Sequence, residues 1–245
     1  MSKRGEEIIR ELDEQAAEKE EQFFTHIANR LNRPRIIKTP AHPFRGAPDF
    51  WLAYELSEEE RIGLFMANWT SMGGHTQRFP DLSSLSTYIE DMAQTMKAKY
   101  MIRFDHPLLN KMKMEQKLPD IEMTVWNKHA EEELLVKAAG ADIGIAVVEY
   151  AIAHTGTVVA VSGAEQGRSV SLLPTVFIAI LQAHDVKTKM GEVMKDLTRR
   201  FGNQLPAGVH FISGPSRSAD IENDLTIGVH GPGIVHALIL DESSP

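Results

Sequence analysis

From Ala141 onward the chain is a succession of short β-branched apolar runs bounded by glycine or polar turns: IGIAVV, TVVAVSG, TVFIAIL, GVHFIS, LTIGV and IVHALIL. Runs of about 4–8 such residues without apolar–polar alternation predict strands buried on both faces. Such strands need cover on both sides. One strong helix is predicted among them at 186–201, with Val186, Met190, Val193, Met194, Leu197 and Phe201 on one face, Asp185 at its N-cap and Gly202 just past its end. Strands punctuated by helix predict a layered, sheet-centred α/β fold.

The first half reads differently. Residues 5–31 carry Ile8, Leu12, Ala16, Phe23, Ile27 and Leu31 at helical spacing, with charged residues around the rest of the cylinder. Pro34, Pro40, Pro43 and Pro48 cannot continue that helix. The chain therefore divides into an N-terminal helical arm with a Pro-rich strap (1–50) and an α/β domain (51–245). Such an arm packs on its own domain or on a second copy. Ser57 and Glu60 have capping-box spacing and open a second helix. A third is predicted over 83–99, strands over Tyr100–Phe104 and Ile121–Trp126, and a helix over 128–139 stopped by Gly140 at the C-cap.

Composition closes several routes. There is no cysteine, so the chain forms no disulfide and offers no thiolate to zinc or to an iron–sulfur cluster. A net charge of −8 argues against a bulk electrostatic grip on nucleic acid or anionic membrane. Lys187, Lys189, Lys195, Arg199 and Arg200 are interleaved with acids and read as a solvated helix face. No signal-peptide core and no apolar run of about 18–20 residues is present, so a cytoplasmic protein is expected.

Two polar stretches stand between buried runs, and ligands in α/β sheets collect in loops at the carboxyl ends of strands. The first holds Glu149 and the turn Thr155-Gly156-Thr157, whose hydroxyls and amides suit a carboxylate or phosphate, or simply close a hairpin. The second holds Gly214, Ser216, Arg217, Ser218, Asp220 and Glu222. Arg217 offers a planar fork for an anion. Asp220 and Glu222 alternate, so in extended chain they share a face, able to hold a metal, share a proton or pair with Arg217. Further on, Gly228-Val-His-Gly-Pro-Gly sets His230 among three glycines, where its imidazole suits proton transfer near neutrality. His210, His230 and His236 have no familiar metal-ligand spacing, and His-Glu-x-x-His, Gly-x-Ser-x-Gly and the nucleotide-binding glycine fingerprints are absent. The ligand set is thus Thr155, Gly156, Thr157, Gly214, Ser216, Arg217 and Asp220, with Glu149 and His230 as proton-transfer candidates and no metal.

The linked pair HTGTVVAVSGAEQGRSVSLLP and FISGPSRSADIENDLTIGVHGP resembles the LUD domain of the lactate-utilisation protein C family. The resemblance is densest from Ala141 to Leu240. It implies a fold similar to the NagB/RpiA/CoA-transferase class and a part in L-lactate oxidation to pyruvate beside iron–sulfur partner proteins. The missing cysteines agree with that division of labour. Where the family is expected to carry an acidic residue before Thr-Gly-Thr, this chain has His154. The residues leave two alternatives: an acyl- or CoA-transferring enzyme using a carboxylate nucleophile, or a module that binds sugar phosphates.

Overall fold

The computed structural model describes residues 3–35, 55–127, 133–218 and 225–241. It divides into two units, Met1–Tyr54 and Glu55–Pro245. The first is helix α1 (Lys3–Arg30). Ile8, Leu12, Phe23 and Leu31 stand exposed along it, and Arg35 pairs with Glu21 beyond its end. The strap with Pro40, Pro43 and Pro48 lies outside the described residues.

The second unit begins with α2 (Glu58–Ser71), capped as its sequence predicts: Ser57 Oγ accepts from the Glu60 amide while Glu60 accepts from the Ser57 amide. The elements that follow are β1 (His75–Phe79), α3 (Leu82–Thr95), β2 (Tyr100–Phe104), α4 (Pro107–Met112), α5 (Met114–Lys117), β3 (Glu122–Trp126), α6 (Leu134–Ala139), β4 (Ile143–Val147), β5 (Tyr150–Ile152), β6 (Thr157–Ser162), α7 (Ser169–Leu172), β7 (Val176–Gln182), β8 (Val186–Lys187), α8 (Met190–Phe201), β9 (Gly208–Ile212), β10 (Arg217–Ser218), β11 (Thr226–Ile227) and β12 (Ile234–Leu240). Six strands form a wholly parallel sheet in the order β1-β12-β7-β4-β2-β3. A second sheet has the order β8-β5-β6-β9, and β10 and β11 make a short ribbon.

Four of the glycine-bounded runs, those of β4, β6, β7 and β12, form the core, whereas β9 from GVHFIS is only half-buried with Phe211 exposed and is not the doubly buried strand expected. Every residue of β6 is buried, as are nearly all of β4, β7 and β12. Trp69 and Phe65 of α2, Phe104 of β2 and Phe177 of β7 are fully buried within it. The second sheet serves two cores. Val158 and Ala160 face the main one, while Val159, Val161 and Ile152 pack against Val193 and Leu197 of α8.

Three further local expectations need correction. The helix expected over 186–201 begins only at Met190, with Lys189 and not Asp185 at its N-cap. Val186 and Lys187 instead pair in parallel with Ala151 and Ile152, because a buried β-branched residue gains more at a sheet edge than in a first helical turn. Of the helix expected over 128–139, the described part is Leu134–Ala139, and Gly140 ends it in ordinary right-handed geometry (φ −90°). The run LTIGV contributes only the two-residue β11.

His236 of β12 stacks on His75 of β1 with ring centroids 4.8 Å apart and lies 3.4 Å from the Tyr88 hydroxyl. Burial, then the neighbouring His75, lowers its pKa to about 4. The fold thus favours the neutral ring. Its contribution to stability is full above pH 6.5, the ordinary histidine value, and is lost as the pH falls toward 4. The shift corresponds to roughly 3 kcal/mol. Chemical denaturation across this window is expected to show a steep acid loss in the wild type that His236→Phe reduces, leaving the smaller slope of His106 and His210, whose pKa values burial also lowers.

Candidate functional site

The residues singled out in the sequence separate into two groups. One gathers where the carboxyl ends of β5 and β9 meet the amino edge of the central sheet. Ala153–Thr155 form a single 3-10 turn closed by Gly156 in left-handed geometry (φ +55°), joining antiparallel β5 and β6. The hairpin reading of Thr-Gly-Thr therefore fits the chain path. The Thr155 and Thr157 hydroxyls lie 2.6 Å apart, and Thr157 Oγ1 lies 2.7 Å from Ser213 Oγ. Asn68 of α2 donates to the carbonyls of Ala153 (2.8 Å) and His154 (3.2 Å).

Gly214 (φ +73°) adjoins Met72, whose carbonyl accepts from Arg217. The Ser216 amide donates to Pro232 O (2.9 Å), and Ser216 O accepts from the Gly228 amide (2.9 Å). Beside this joint an open cleft of about 550 Å³ is lined by Leu172, Pro174, Thr175, Gly228, His230 and Gly231. That cleft precedes β7 and β12, so it sits at the amino ends of the central strands and not at the carboxyl ends where the loops were expected. Asp220 and Glu222 lie outside the described residues.

Glu149 stands apart from this group, at the opposite edge. It follows β4, and its side chain, 20% exposed, forms an ion pair with Arg200 of α8. Arg200 keeps the exposed position read for it while pairing with Glu149, and that bond raises its pKa further.

Strand order explains why this edge matters. The connection after β2 leads outward to β3, whereas the one after β4 leads the other way to β7. β2 and β4 are neighbours, with Arg103 paired to Ile145, so their carboxyl ends flank the topological switch point of the sheet. Asp105 and His106 emerge from β2 there, and Glu149 and Tyr150 from β4.

The support beneath them is built from charge. Arg103 is 5% exposed. It donates to Glu115 (2.7 Å), to Phe104 O (3.0 Å) and to Asn110 Oδ1 (2.7 Å). Asn110 in turn donates to Asp105 Oδ1 (3.0 Å). The Asp105 amide donates to Glu165 O (3.2 Å), which ties the 163–168 loop to the end of β2. Within that loop Gly167 lies so close to the Trp126 ring that a Cβ would stand 1.9 Å from it.

His106 caps α4, its Nδ1 accepting from the Leu108 amide at 3.2 Å. That bond assigns the neutral ring's proton to Nε2. Burial lowers the His106 pKa, opposed by the charges of Glu149 and Asp105. Burial also raises Asp185, with Glu149 adding to the effect, and raises Tyr150. The arrangement holds a neutral imidazole, a paired carboxylate and a guanidinium in one electrostatic neighbourhood. Sequence reasoning missed Asp105, His106 and Arg200. The available signal was Asp-His-Pro directly after a buried strand, since proline opens a helix and fixes that strand's carboxyl end.

Among the described residues no group of three or more His, Asp or Glu side chains is placed to hold a metal ion, and no helix is long and apolar enough to cross a membrane.

The LUD domain profile matches residues 62–240, the whole of both sheets. The chain belongs to the LUD domain family. Among its relatives, a lactate utilization protein C from Halalkalibacterium halodurans is 34% identical over 221 residues, covering 88% of this chain and 94% of that one. Another, from Shouchella clausii, is 31% identical and covers 90% and 96%. The relative of the same name from Bacillus subtilis is 42% identical over 109 residues, 44% of this chain and 45% of that one. In structure, a DUF162 family protein from Deinococcus radiodurans superposes with a TM-score of 0.55 at 17% identity, covering 76% of this chain and 99% of that one. The shared feature is the α/β fold with its parallel central sheet.

Gly156 tests the joint at the amino edge. A Cβ there would lie 2.6 Å from the backbone of Asn68 and Trp69, at a positive φ. Gly156→Ala is expected to cost about 2–4 kcal/mol, from left-handed strain plus overpacking, read as a lowered urea midpoint with unchanged m-value.

Proposed function

We propose that this protein serves L-lactate utilisation, the oxidation of L-lactate to pyruvate, as a subunit or accessory protein that carries no iron–sulfur cluster. The observation that carries this reading is full-length similarity to relatives named lactate utilization protein C. With no cysteine in the chain, cluster-borne electron transfer would fall to partner proteins. The proposed location is cytoplasmic. The exposed Ile8, Leu12 and Phe23 of α1 support a role for that helix in binding a second copy.

The reading includes a small-anion site, and two places support one. At the amino edge are Thr155, Gly156, Thr157, Gly214, Ser216 and Arg217, with His230 in the adjoining cleft; Asp220, the other proposed ligand residue, lies outside the described residues. There the hydroxyls bond one another and Arg217 bonds a helix-end carbonyl, so a ligand would have to displace internal bonds. The switch-point group around Glu149 and Arg200 demands less rearrangement.

Deletion of the gene in a lactate-using host is expected to abolish growth on L-lactate while sparing growth on pyruvate, with complementation restoring it. Affinity capture of the tagged chain from lactate-grown cells is expected to recover iron–sulfur proteins. Normal growth of the deletion strain together with empty captures would remove the reading.

One observation favours a second reading. Glu149 stands at the carboxyl end of a central strand, which suits a carboxylate nucleophile in a fold of the NagB/RpiA/CoA-transferase class. In such an enzyme the carboxylate attacks an acyl-CoA, expels the CoA thiolate, and is then converted by it to a glutamyl-CoA thioester as the free acid leaves. Intact-mass measurement after acyl-CoA treatment decides it: the accessory reading expects no adduct, and a thioester at Glu149 would replace that reading with the transferase.

A further inference from the structure

The apolar residues of α1 have a property that amphipathic spacing does not require. Two antiparallel helices bring residues to one level when their numbers have a constant sum. In α1, Ile8 with Leu31, Leu12 with Ile27, and Ala16 with Phe23 each add to 39. A second copy of the helix laid antiparallel in that register sets apolar against apolar at all three levels, and small Ala16 against the partner's large Phe23. A parallel pair sets Ala16 on Ala16 and Phe23 on Phe23, a gap at one level and crowding at another, whereas packed helices place large opposite small. The face is available: Ile8, Leu12, Phe23 and Leu31 are 50–61% exposed, Ala16 is exposed, and Ile27 is half-buried. An exposed apolar stripe of this length marks an interaction surface.

Charge selects the same orientation. Residues 11–21 hold Glu11, Asp13, Glu14, Glu18, Glu20 and Glu21 against a single Lys19, whereas residues 22–35 hold Arg30, Arg33 and Arg35 and no acid. Arg10 pairs with Glu14 and Arg35 with Glu21, which leaves Glu11, Asp13 and Arg30 without an ion pair among the described residues. Antiparallel pairing brings the partner's Arg30 and the partner's His26 alongside Glu11 and Asp13. Parallel pairing lays acid along acid and aligns the two helix dipoles, which the antiparallel arrangement opposes.

We propose that α1 is an isologous interface: two copies of this chain pair antiparallel through it, with Ile8 on the partner's Leu31, Leu12 on the partner's Ile27 and Ala16 on the partner's Phe23, about a two-fold axis at the level of Lys19 and Glu20. This deepens the reading of α1 as a helix that binds a second copy and rests on it, and it is independent of the lactate role.

The test uses the full chain, in which the lack of native cysteine makes any introduced thiol unique. Sedimentation at micromolar concentration is expected to show a dimer. Leu12→Asp and Phe23→Asp are each expected to weaken it about a hundred-fold or more, because each change enters the interface twice. The melting midpoint followed by tryptophan fluorescence is expected to stay unchanged in both, since α1 holds no tryptophan and both side chains are exposed in the single chain. For the register, L12C and I27C proteins are oxidised separately in a glutathione couple and then as a mixture. Neither is expected to form a disulfide-linked dimer alone, and the mixture is expected to form one. Linked dimers in the separate samples, or none in the mixture, would overturn the antiparallel register and leave α1 as a copy-binding helix of other geometry. A wild-type monomer at every concentration, or a dimer that L12D and F23D leave intact, would overturn the register together with the reading of α1 on which it rests.

Discussion

Two successive amides fix the architecture of this protein. The Val148 N–H donates to Ile180 O of the central sheet, and the next, that of Glu149, donates to Val159 O of the second sheet, each at 2.9 Å. Between them the chain passes from one sheet to the other without leaving either hydrogen-bonding ladder. The same crossing is made in parallel by β7, which runs through a 3-10 turn into β8. Neither strand therefore needs a long exposed connection, and the buried amides stay paired throughout. A further consequence is that Glu149 is anchored by its backbone at the moment its side chain emerges beside the switch point.

The two edges of the central sheet are held by different means. At the amino edge, contact is close packing of backbone on backbone. Gly156 against Asn68 and Gly214 against Met72 leave no space for a Cβ, and the hydroxyls of Thr155, Thr157 and Ser213 saturate one another. At the carboxyl edge the joints are long, charged side chains: Arg103 with Glu115 and Asn110, Arg200 with Glu149. Close backbone joints hold one arrangement. Charged pairs that retain solvent access can exchange an internal partner for an incoming one, because water and the ligand compete for the same donors. The amino edge is thus held by backbone packing and the carboxyl edge by side-chain ion pairs.

Much of this was legible in the sequence, and the reason is physical. Strands buried on both faces must be apolar at nearly every position, so β4, β6, β7 and β12 announce themselves. Caps such as Ser57 and Glu60 are equally local. The limits arise where a residue's role depends on a distant partner. Val186 looks like the start of a helix until Ala151 is available beside it as a strand. Arg200 shares its spacing and company with solvated lysines, and only the fold brings Glu149 to it. The Thr-Gly-Thr turn is conspicuous in sequence because glycine and hydroxyls are required to make the joint, a requirement that by itself says nothing of a ligand.

His106 illustrates the same limit and its remedy. Read alone, a histidine before proline is a turn residue. Placed after a buried strand, the pair marks a strand end and a helix start at once, and an imidazole at a helix N-cap has one nitrogen committed to the backbone. Its tautomer follows from that commitment, and with it the direction in which it can hydrogen-bond. The hydrogen-bonding direction of this imidazole thus derives from a capping requirement of a six-residue helix, set at the one place in the sheet where consecutive connections diverge.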